Sequence, residues 1–161
     1  MRVSLREGTL ADAEFIVALL NDPSFINHIG DKQVRTQKQA HQYIKNTFIE
    51  PLELGLGSRV ITLLDGQPVG MVGLFQRPIL DSPDLGFAML SEHQGKGLMY
   101  EAANSFLTLH TQKFSTLYGI TSQTNETSYS LLKKLGFTYL SEIQLENKTT
   151  KDRLLTLQRK E

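Results

Sequence analysis

Two glycines, at positions 95 and 97, mark the segment whose residues are best suited to chemistry. The segment reads Gln94-Gly95-Lys96-Gly97 and joins an apolar stretch to a stretch with helical spacing. Glycine lets a backbone approach a ligand closely, and the first turn of a following helix has N–H groups without intrahelical partners. Those donors and the positive end of the helix dipole suit a phosphate. The segment therefore predicts an anion site, with a purely steric role for the glycines as the alternative.

A second segment, one helix and one strand further along the chain, has Asn125 and Ser128 ahead of Leu135-Gly136-Phe137. In this order and at this separation, the two segments resemble the acyl-CoA-binding core of the GCN5-related N-acetyltransferase (GNAT) superfamily. The branch they resemble most contains the ribosomal-protein N-terminal acetyltransferases. The resemblance covers nearly the whole chain, because three N-terminal phrases are also arranged as in that branch: Leu5-Arg6, Asp12-Ala13-Glu14 and Leu20-Asn21-Asp22-Pro23.

The resemblance implies a binding site for acetyl-CoA as the acyl donor. The pantetheine arm of the carrier would pair with main-chain groups at the end of a strand, and the pyrophosphate would rest on amides of the glycine turn. The implied cofactor-binding residues are Ala88, Met89, Leu90, Ser91, Gln94, Gly95, Lys96, Gly97, Leu98, Met99 and Asn125. Met99 departs from the family, which usually has Gly or Ala there, so we expect a tighter fit beneath the helix start.

Asn125 allows two interpretations that do not exclude each other. Asn is among the preferred N-cap residues, so its side chain alone can begin a helix. In the family, the matching Asn also hydrogen-bonds the pantetheine arm. Lys133 and Lys134 near the end of the same helix fit solvated charges favoured at a helix C-terminus, with contact to a phosphate of the nucleotide as the alternative.

Transfer of an acetyl group from a thioester to an amine needs a neutral amine, a stabilised oxyanion and a proton for the leaving thiolate. Many relatives carry the acidic Tyr four residues before the Gly of Gly-Phe, but this position is Leu132 here. The branch that the chain resembles has a Ser at the position of Ser128. The resemblance therefore implies Ser128 as the general acid and Tyr129 as the back-up donor. Alternatively, a Ser in the first turn of a helix only satisfies local backbone groups.

Asp84 matches the acidic residue that precedes the strand in many relatives, and it is the candidate general base, acting directly or through a water. Its alternative role, directly after Pro83, is to end a turn. The chain has no Cys, and its four His show no paired spacing. We therefore expect no metal site and no covalent intermediate.

The identity of the acceptor is open at this stage. The resemblance places the acceptor beside the N-terminal helices, about residues 9–50, and a protein N-terminus and a small amine both fit. The residues implied to be near it are Phe25, Ile26, Asn27, His28, Ile29, Asp31 and Arg35. A catalytically silent acyl-CoA-binding sensor or structural protein is the alternative function; the missing Tyr favours it and Ser128 disfavours it.

Length and composition limit the class of protein. At 161 residues the chain fits one domain, residues 1–161. Lys plus Arg and Asp plus Glu both number 17, and no apolar run is long enough for a membrane span, so neither nucleic acid nor membrane is an expected partner. The absence of Cys fits a cytoplasmic protein. A homodimer is compatible with the apolar residues.

Hydrophobic periodicity predicts the order strand, two helices, three antiparallel strands, helix, strand, helix and two strands. The predicted strands are 2–7, 60–64, 69–75, 85–90, 117–121, 139–145 and 153–157, and the predicted helical segments are 9–21, 24–29, 36–50, 96–113 and 125–135. This order is that of the GNAT fold, an α/β (α+β) class. The resemblance implies a mixed, mostly antiparallel twisted sheet of about seven strands, with helices on both faces and a splayed parallel strand pair.

Overall fold

A seven-stranded sheet organises the computed structural model, which describes residues 1–146 and 148–159. The strands are β1 Val3–Glu7, β2 Gly57–Leu63, β3 Pro68–Phe75, β4 Asp84–Met89, β5 Thr116–Thr121, β6 Thr138–Ile143 and β7 Asp152–Gln158. Their order across the sheet is β1-β2-β3-β4-β5-β7-β6. Only β4 and β5 pair in parallel among these neighbours. The prediction of a mixed, mostly antiparallel sheet is confirmed.

Five α-helices accompany the sheet, and most begin at a side chain that caps them. They are α1 Ala13–Leu20, α2 Pro23–His28, α3 Gln37–Ile44, α4 Leu98–His110 and α5 Glu126–Lys134. Thr9 forms a capping box with Asp12 over a 3₁₀ turn, Leu10–Asp12, that leads into α1. Thr36 forms the same arrangement with Gln39 at the start of α3. These pairs satisfy N–H groups that a helix start leaves free, which is why their sequence positions located the helices correctly.

The helical segment after Thr36 was predicted to stop before Pro51, and this prediction is wrong. A π-helical turn, Lys45–Ile49, follows α3, and a 3₁₀ helix, Glu50–Leu54, carries the chain past the proline. Pro51 lies in the first turn of that 3₁₀ helix, where its missing N–H is not needed. The segment ends instead at Gly55, whose φ of 76° is left-handed.

Other boundaries move by a few residues. The helix predicted for 96–113 is α4, Leu98–His110, because Gly97 has a φ of 78° and cannot be part of a right-handed helix. The strand predicted from residue 60 begins at Gly57 and pairs with β3 as far as Thr62, with a register shift after Ile61. The last hairpin is shorter at β6 and longer at β7 than predicted.

Apolar side chains pack on both faces of the sheet. The α4–α5 face is covered by those two helices, and its core includes Leu98, Phe106, Leu117, Leu132 and Leu155. The α1–α3 face is covered by the three N-terminal helices, and its core includes Ile16, Leu19, Ile44, Val60 and Met71. Helices on both faces were predicted, and the two cores confirm them.

The strands β4 and β5 separate almost as soon as they meet. Their pairing consists of Asp84 beside Tyr118, where the N–H of Tyr118 donates to the carbonyl of Pro83 at 2.9 Å. Beyond this point β4 stays paired with β3 as far as Met89, and β5 stays paired with β7. A gap therefore opens towards the carboxyl ends of β4 and β5. This is the predicted splayed parallel pair.

Candidate functional site

The turn before α4 leaves main-chain donors exposed at the mouth of this gap. Gly95 and Gly97 both have left-handed φ angles, 79° and 78°. Gly97 is the N-cap of α4 and has no side chain to accept from the first-turn amides, whereas Asp22, Thr36 and Asn125 do so at α2, α3 and α5. The first-turn N–H groups of α4 therefore have no side-chain partner among residues 1–146 and 148–159, and they lie at the positive end of a thirteen-residue helix. This geometry fits the predicted anion site.

Arg2 adds positive charge at the same turn, and the sequence analysis did not identify it. Its Nη2 atom lies 3.3 Å from the position that a Cβ on Gly97 would occupy. Its Nε atom lies 3.2 Å from Oε1 of Glu101 in the first turn of α4. Arg2 therefore balances a carboxylate that would otherwise repel an anion there. Because 99 residues separate Arg2 from Glu101, no local signal indicated this contact.

The predicted strand residues at the gap differ in where their main-chain groups point. The N–H of Leu90 donates to Val69 of β3 at 2.9 Å, and the carbonyl of Pro83 faces β5. Because successive residues of a strand alternate, the groups of Ala88 face β3, while those of Met89 face the gap. Of Ala88, Met89 and Leu90, Met89 therefore directs its main-chain carbonyl towards the gap, where the pantetheine arm is predicted to bind.

Side chains of the protein already contact several of these groups. Nε2 of Gln94 donates to the carbonyl of Met89 at 2.8 Å and to Oγ of Ser24 at 3.3 Å. The N–H of Ser91 donates to Oδ2 of Asp22 at 2.9 Å, and its hydroxyl donates to the same carboxylate. The start of α2 is thereby joined to the end of β4. A ligand that bonds to the carbonyl of Met89 must share this acceptor with Gln94 or displace the Gln94 side chain.

Asp84 lies at the closed end of the gap, on the α1–α3 face. Only 3% of its surface is exposed, and its Oδ1 accepts from Nε of Arg77 at 2.9 Å. Burial raises the pKa of Asp84, and the charge and hydrogen bond of Arg77 oppose that rise. A carboxylate with a raised pKa is a stronger proton acceptor than an ordinary aspartate. Arg77 was not among the predicted site residues, although it lies only seven positions before Asp84, in the loop that leads into β4.

At the open end of the gap, the start of α5 brings the other candidates together. Oδ1 of Asn125 accepts from the N–H of Ser128 at 3.1 Å, which confirms the N-cap interpretation. The hydroxyl of Ser128 makes no hydrogen bond within residues 1–146 and 148–159, so it does not serve a local backbone group there. Its proton is available to a ligand.

Arg153 of β7 positions this end of the site. Its guanidinium carbon lies 4.0 Å from the centroid of the Tyr129 ring, and its Nη2 donates to the carbonyls of Ser122 and Asn125. Lys133 lies over the same ring at 5.6 Å. The ring of Tyr129, the back-up donor, therefore has two cations near it at the start of α5.

The residues implied for the acceptor differ in their exposure. Phe25 is 5% exposed and belongs to the core of the α1–α3 face. Asp31 and Arg35 pair with each other at 2.6 Å, so their charges are mutually compensated. Ile26 and Ile29 are exposed on or just after α2.

A cavity of about 400 Å³ lies elsewhere, between the segment 46–56 and residues 74–76 at the end of β3. None of the predicted catalytic or cofactor residues lines it.

In the described part of the chain, no group of three or more His, Asp or Glu side chains is arranged to hold a metal ion, and no helix is long and apolar enough to cross a membrane.

Solved structures share this fold at low sequence identity. RimL, a ribosomal L7/L12 alpha-N-protein acetyltransferase solved with coenzyme A, has a TM-score of 0.85 at 12% identity over 99% of this chain and 95% of that one. The ribosomal-protein-S5-alanine acetyltransferase of Vibrio fischeri has a TM-score of 0.75 at 19% identity, over 99% of this chain and 94% of that one. Spermidine N-acetyltransferase of Vibrio cholerae, solved with CoA and spermine, has a TM-score of 0.79 at 17% identity, over 98% of this chain and 96% of that one.

At these identities, likeness between structures shows the fold alone. No curated protein sequence is significantly similar to this chain. The sequence model of the acetyltransferase (GNAT) domain family, however, matches residues 2–138, which include β4, the glycine turn and the whole of α5. The splayed strand pair and the uncapped start of α4 agree with the expectation for this family. The chain belongs to the GNAT acetyltransferase family.

Proposed function

We propose that this protein transfers the acetyl group of acetyl-CoA to a primary amine, by direct attack within a ternary complex. The observation that carries the proposal is the gap between β4 and β5, which opens beside the uncapped amides of α4. Solved members of the same fold contain coenzyme A, one of them together with the amine spermine. A protein N-terminus and a small molecule are both acceptors compatible with this support.

Main-chain groups of the chain would hold the carrier. The first-turn amides of α4, from Leu98 onward, and the turn at Gly97 suit its pyrophosphate, with Arg2 beside them. The carbonyl of Met89 suits an amide of the pantetheine arm once Gln94 releases it. The amide nitrogen of Asn125 remains to donate, because its oxygen is used in capping α5.

The bound carrier supplies an acetyl thioester, whose carbon forms a bond to the amine nitrogen as its bond to sulfur breaks. Asp84 would accept the proton that the amine loses, and Ser128 would donate a proton to the sulfur. The two residues belong to opposite faces: Asp84 lies on the α1–α3 face, and α5 packs on the other through Leu132. Asp84 also lies at the closed end of the gap, whereas α5 begins beyond the open end. Because the amine nitrogen and the sulfur are bonded to the same carbon, Asp84 would accept the proton of the amine through a water.

Calorimetry with acetyl-CoA and CoA, followed by an assay of free thiol over a panel of peptides and small amines, tests the proposal. Binding together with amine-dependent thiol release is the expected result. Binding without turnover on any amine would point instead to a catalytically silent acyl-CoA-binding protein. Absence of binding would overturn both functions.

Replacement of Ser128 by Ala is expected to lower kcat about a hundredfold while leaving the Kd for acetyl-CoA nearly unchanged. The reason is that its hydroxyl is engaged with no described group and would act only on the leaving sulfur. The matched control is Ser130→Ala, an exposed position of the same helix. Steady-state kinetics and calorimetry check the prediction, and an unchanged kcat in S128A would remove Ser128 from the mechanism.

Asn125 has two roles that substitution can separate. Asn125→Asp keeps an oxygen for the N-cap, so we expect wild-type stability but weaker acetyl-CoA binding, because the amide donor is lost. Asn125→Ala removes both, and we expect an additional loss of about 1 kcal/mol in the free energy of unfolding. Urea unfolding and calorimetry measure the two effects. If N125D binds acetyl-CoA as the wild type does, Asn125 is a cap and nothing more.

A further inference from the structure

All three nitrogens of the Arg153 guanidinium donate to one short segment, at the turn between β5 and α5. Nε donates to Oγ1 of Thr121 at 3.2 Å, and Nη1 donates to Oε1 of Glu126 at 3.1 Å. Nη2 donates to the main-chain carbonyls of Ser122 at 3.0 Å and Asn125 at 3.3 Å. A guanidinium can hold several acceptors at once because its N–H groups are fixed in one plane. Arg153 therefore joins both ends of this turn to β7.

Main-chain contacts, rather than the ion pair, account for most of this hold on the turn. The side chain of Glu126 is 71% exposed, and a pair with such an exposed carboxylate contributes little to stability. The two carbonyls belong to the turn itself, so the bonds to them fix the orientation of its peptide planes. Arg153 also pairs with Thr121 in the ladder between β5 and β7. Loss of its side chain should therefore loosen the turn while the ladder keeps the strands together.

The cap of α5 differs in backbone conformation from the caps of α2 and α3. Asn125 has a φ of −87° and a ψ of 76°, whereas the other two caps are extended, with ψ angles of 133° and 161°. The Asn125 carbonyl accepts the first bond of the helix, from the N–H of Tyr129 at 3.1 Å, and also accepts from Arg153. The guanidinium thus helps to set the direction in which α5 begins. Ser128 lies in the first turn of α5, so its position depends on this direction.

Arg153 lies outside the part of the chain that the family model matches. The model matches residues 2–138, whereas β7 begins at Asp152. The side-chain partners of Arg153 lie 27 to 32 positions before it. The contact is therefore a product of this chain's tertiary structure, and the two family motifs do not supply it.

We propose that Arg153 is a positioning residue for acetyl transfer, and that it places the hydroxyl of Ser128 beside the sulfur of the thioester. This inference rests on the proposed function. Arg153 bonds to the turn, so its effect on the reaction passes through α5. A displacement of about 1 Å in a reacting group can reduce a rate about a hundredfold. The proposed pyrophosphate site belongs to α4 instead, so loss of Arg153 should lower kcat more than it raises the Kd for acetyl-CoA.

Arg153→Met tests the proposal, and Arg159→Met is its matched control. Arg159 follows β7 and donates to the carbonyls of Leu107, Thr111 and Phe114, which lie before β5 rather than after it. Both substitutions remove a guanidinium that joins main-chain carbonyls, so both should lower the free energy of unfolding. We expect R153M to lower kcat about tenfold or more and to change the Kd for acetyl-CoA less than about threefold. R159M should keep both values near those of the wild type. Urea unfolding, calorimetry and thiol release with the most active amine of the panel supply the measurements.

A double-mutant cycle separates positioning from general stabilisation. Because Arg153 would act through Ser128, R153M should reduce kcat little further in the S128A background. Arg153→Lys keeps the positive charge but cannot bond to the same acceptors together, so its kcat should resemble that of R153M. If R153M does not fold, R153K replaces it in the cycle with the same expectation. Independent, multiplicative losses in the cycle, or a wild-type kcat in R153K, overturn the inference.

Hydrogen exchange supplies a readout that does not depend on catalysis. The N–H of Ser128 is bonded to the side chain of Asn125, and the N–H of Tyr129 is bonded to its carbonyl. Both should exchange faster in R153M than in the wild type, while the amides in the middle of α4 should be unchanged. Unchanged exchange at these two amides contradicts the positioning role. A wild type that releases no thiol with any amine overturns the proposed function, whereas an active wild type with an unchanged R153M overturns this inference alone.

Discussion

Arg77→Ala is expected to lower the free energy of unfolding by about 2 kcal/mol at neutral pH. Asp84 is 3% exposed and its carboxylate oxygen is bonded to Arg77 at 2.9 Å. Removing the guanidinium leaves a buried carboxylate without its counterion. Loss of such a partner costs about 3–5 kcal/mol in a fully buried pair, and the value is reduced here because the Arg77 side chain is 40% exposed.

The pH dependence of this loss follows from the pKa of Asp84. Burial raises that pKa in the folded protein, and Arg77 opposes the rise, so the pKa rises further in R77A. The folded state then holds a proton that the unfolded state releases, and stability falls as the pH increases through this range. Below the ordinary pKa of an aspartate, the carboxyl is neutral in both states. The difference in the free energy of unfolding between the wild type and R77A should therefore become smaller as the pH is lowered towards about 4.

Urea unfolding of four proteins tests the argument. Asp84→Asn in the R77A background removes the charge that lacks a partner, so the double variant should be more stable at neutral pH than R77A alone. Arg35→Ala removes an exposed pair with Asp31 and should cause no measurable change. An R77A variant as stable as the wild type at neutral pH, or equally destabilised at pH 4, would show that the buried carboxylate does not depend on Arg77.

Gly97→Val is expected to weaken acetyl-CoA binding at least tenfold, about 1.4 kcal/mol. Gly97 has a φ of 78°, and a β-branched residue cannot adopt this conformation without strain. Its Cβ would also lie 3.3 Å from Nη2 of Arg2. The turn must therefore rearrange, and the amides that begin α4 would no longer converge on the pyrophosphate.

Gly66→Val is the matched control for this prediction. Gly66 lies in the hairpin between β2 and β3, has a φ of 95°, and has nothing within 4 Å of a Cβ position. Both variants should lose about 1–2 kcal/mol of stability from left-handed strain. Only G97V should lose affinity in calorimetry with acetyl-CoA. Equal affinities in the two variants would count against the turn as the phosphate site.

Local patterns in the sequence located most of the elements. Thr36 with Gln39 and Asn125 with Ser128 are capping contacts between residues three apart, so composition and spacing alone predicted the helix starts. The left-handed glycines at positions 95 and 97 are similarly local. Pro51 was misread because proline is tolerated in the first turn of a new helix as well as after the end of an old one.

The catalytic candidates Asp84 and Ser128 were taken from the family resemblance, and their surroundings were not predictable. The ion pair of Arg2 with Glu101 and the bond from Ser91 to Asp22 join residues 99 and 69 positions apart. The insertion of β7 between β5 and β6 likewise depends on pairing between distant strands.

The helices, the hairpins, the glycine turn and the family of this protein were all predictable from the sequence, because they depend on contacts within a few residues or on recognisable motifs. The burial of Asp84 against Arg77, and a Ser128 hydroxyl that bonds to no group of its own helix in the described residues, became visible only in the folded chain. Burial and charge compensation are properties of residues that folding brings together, and no local pattern records which side chains will meet.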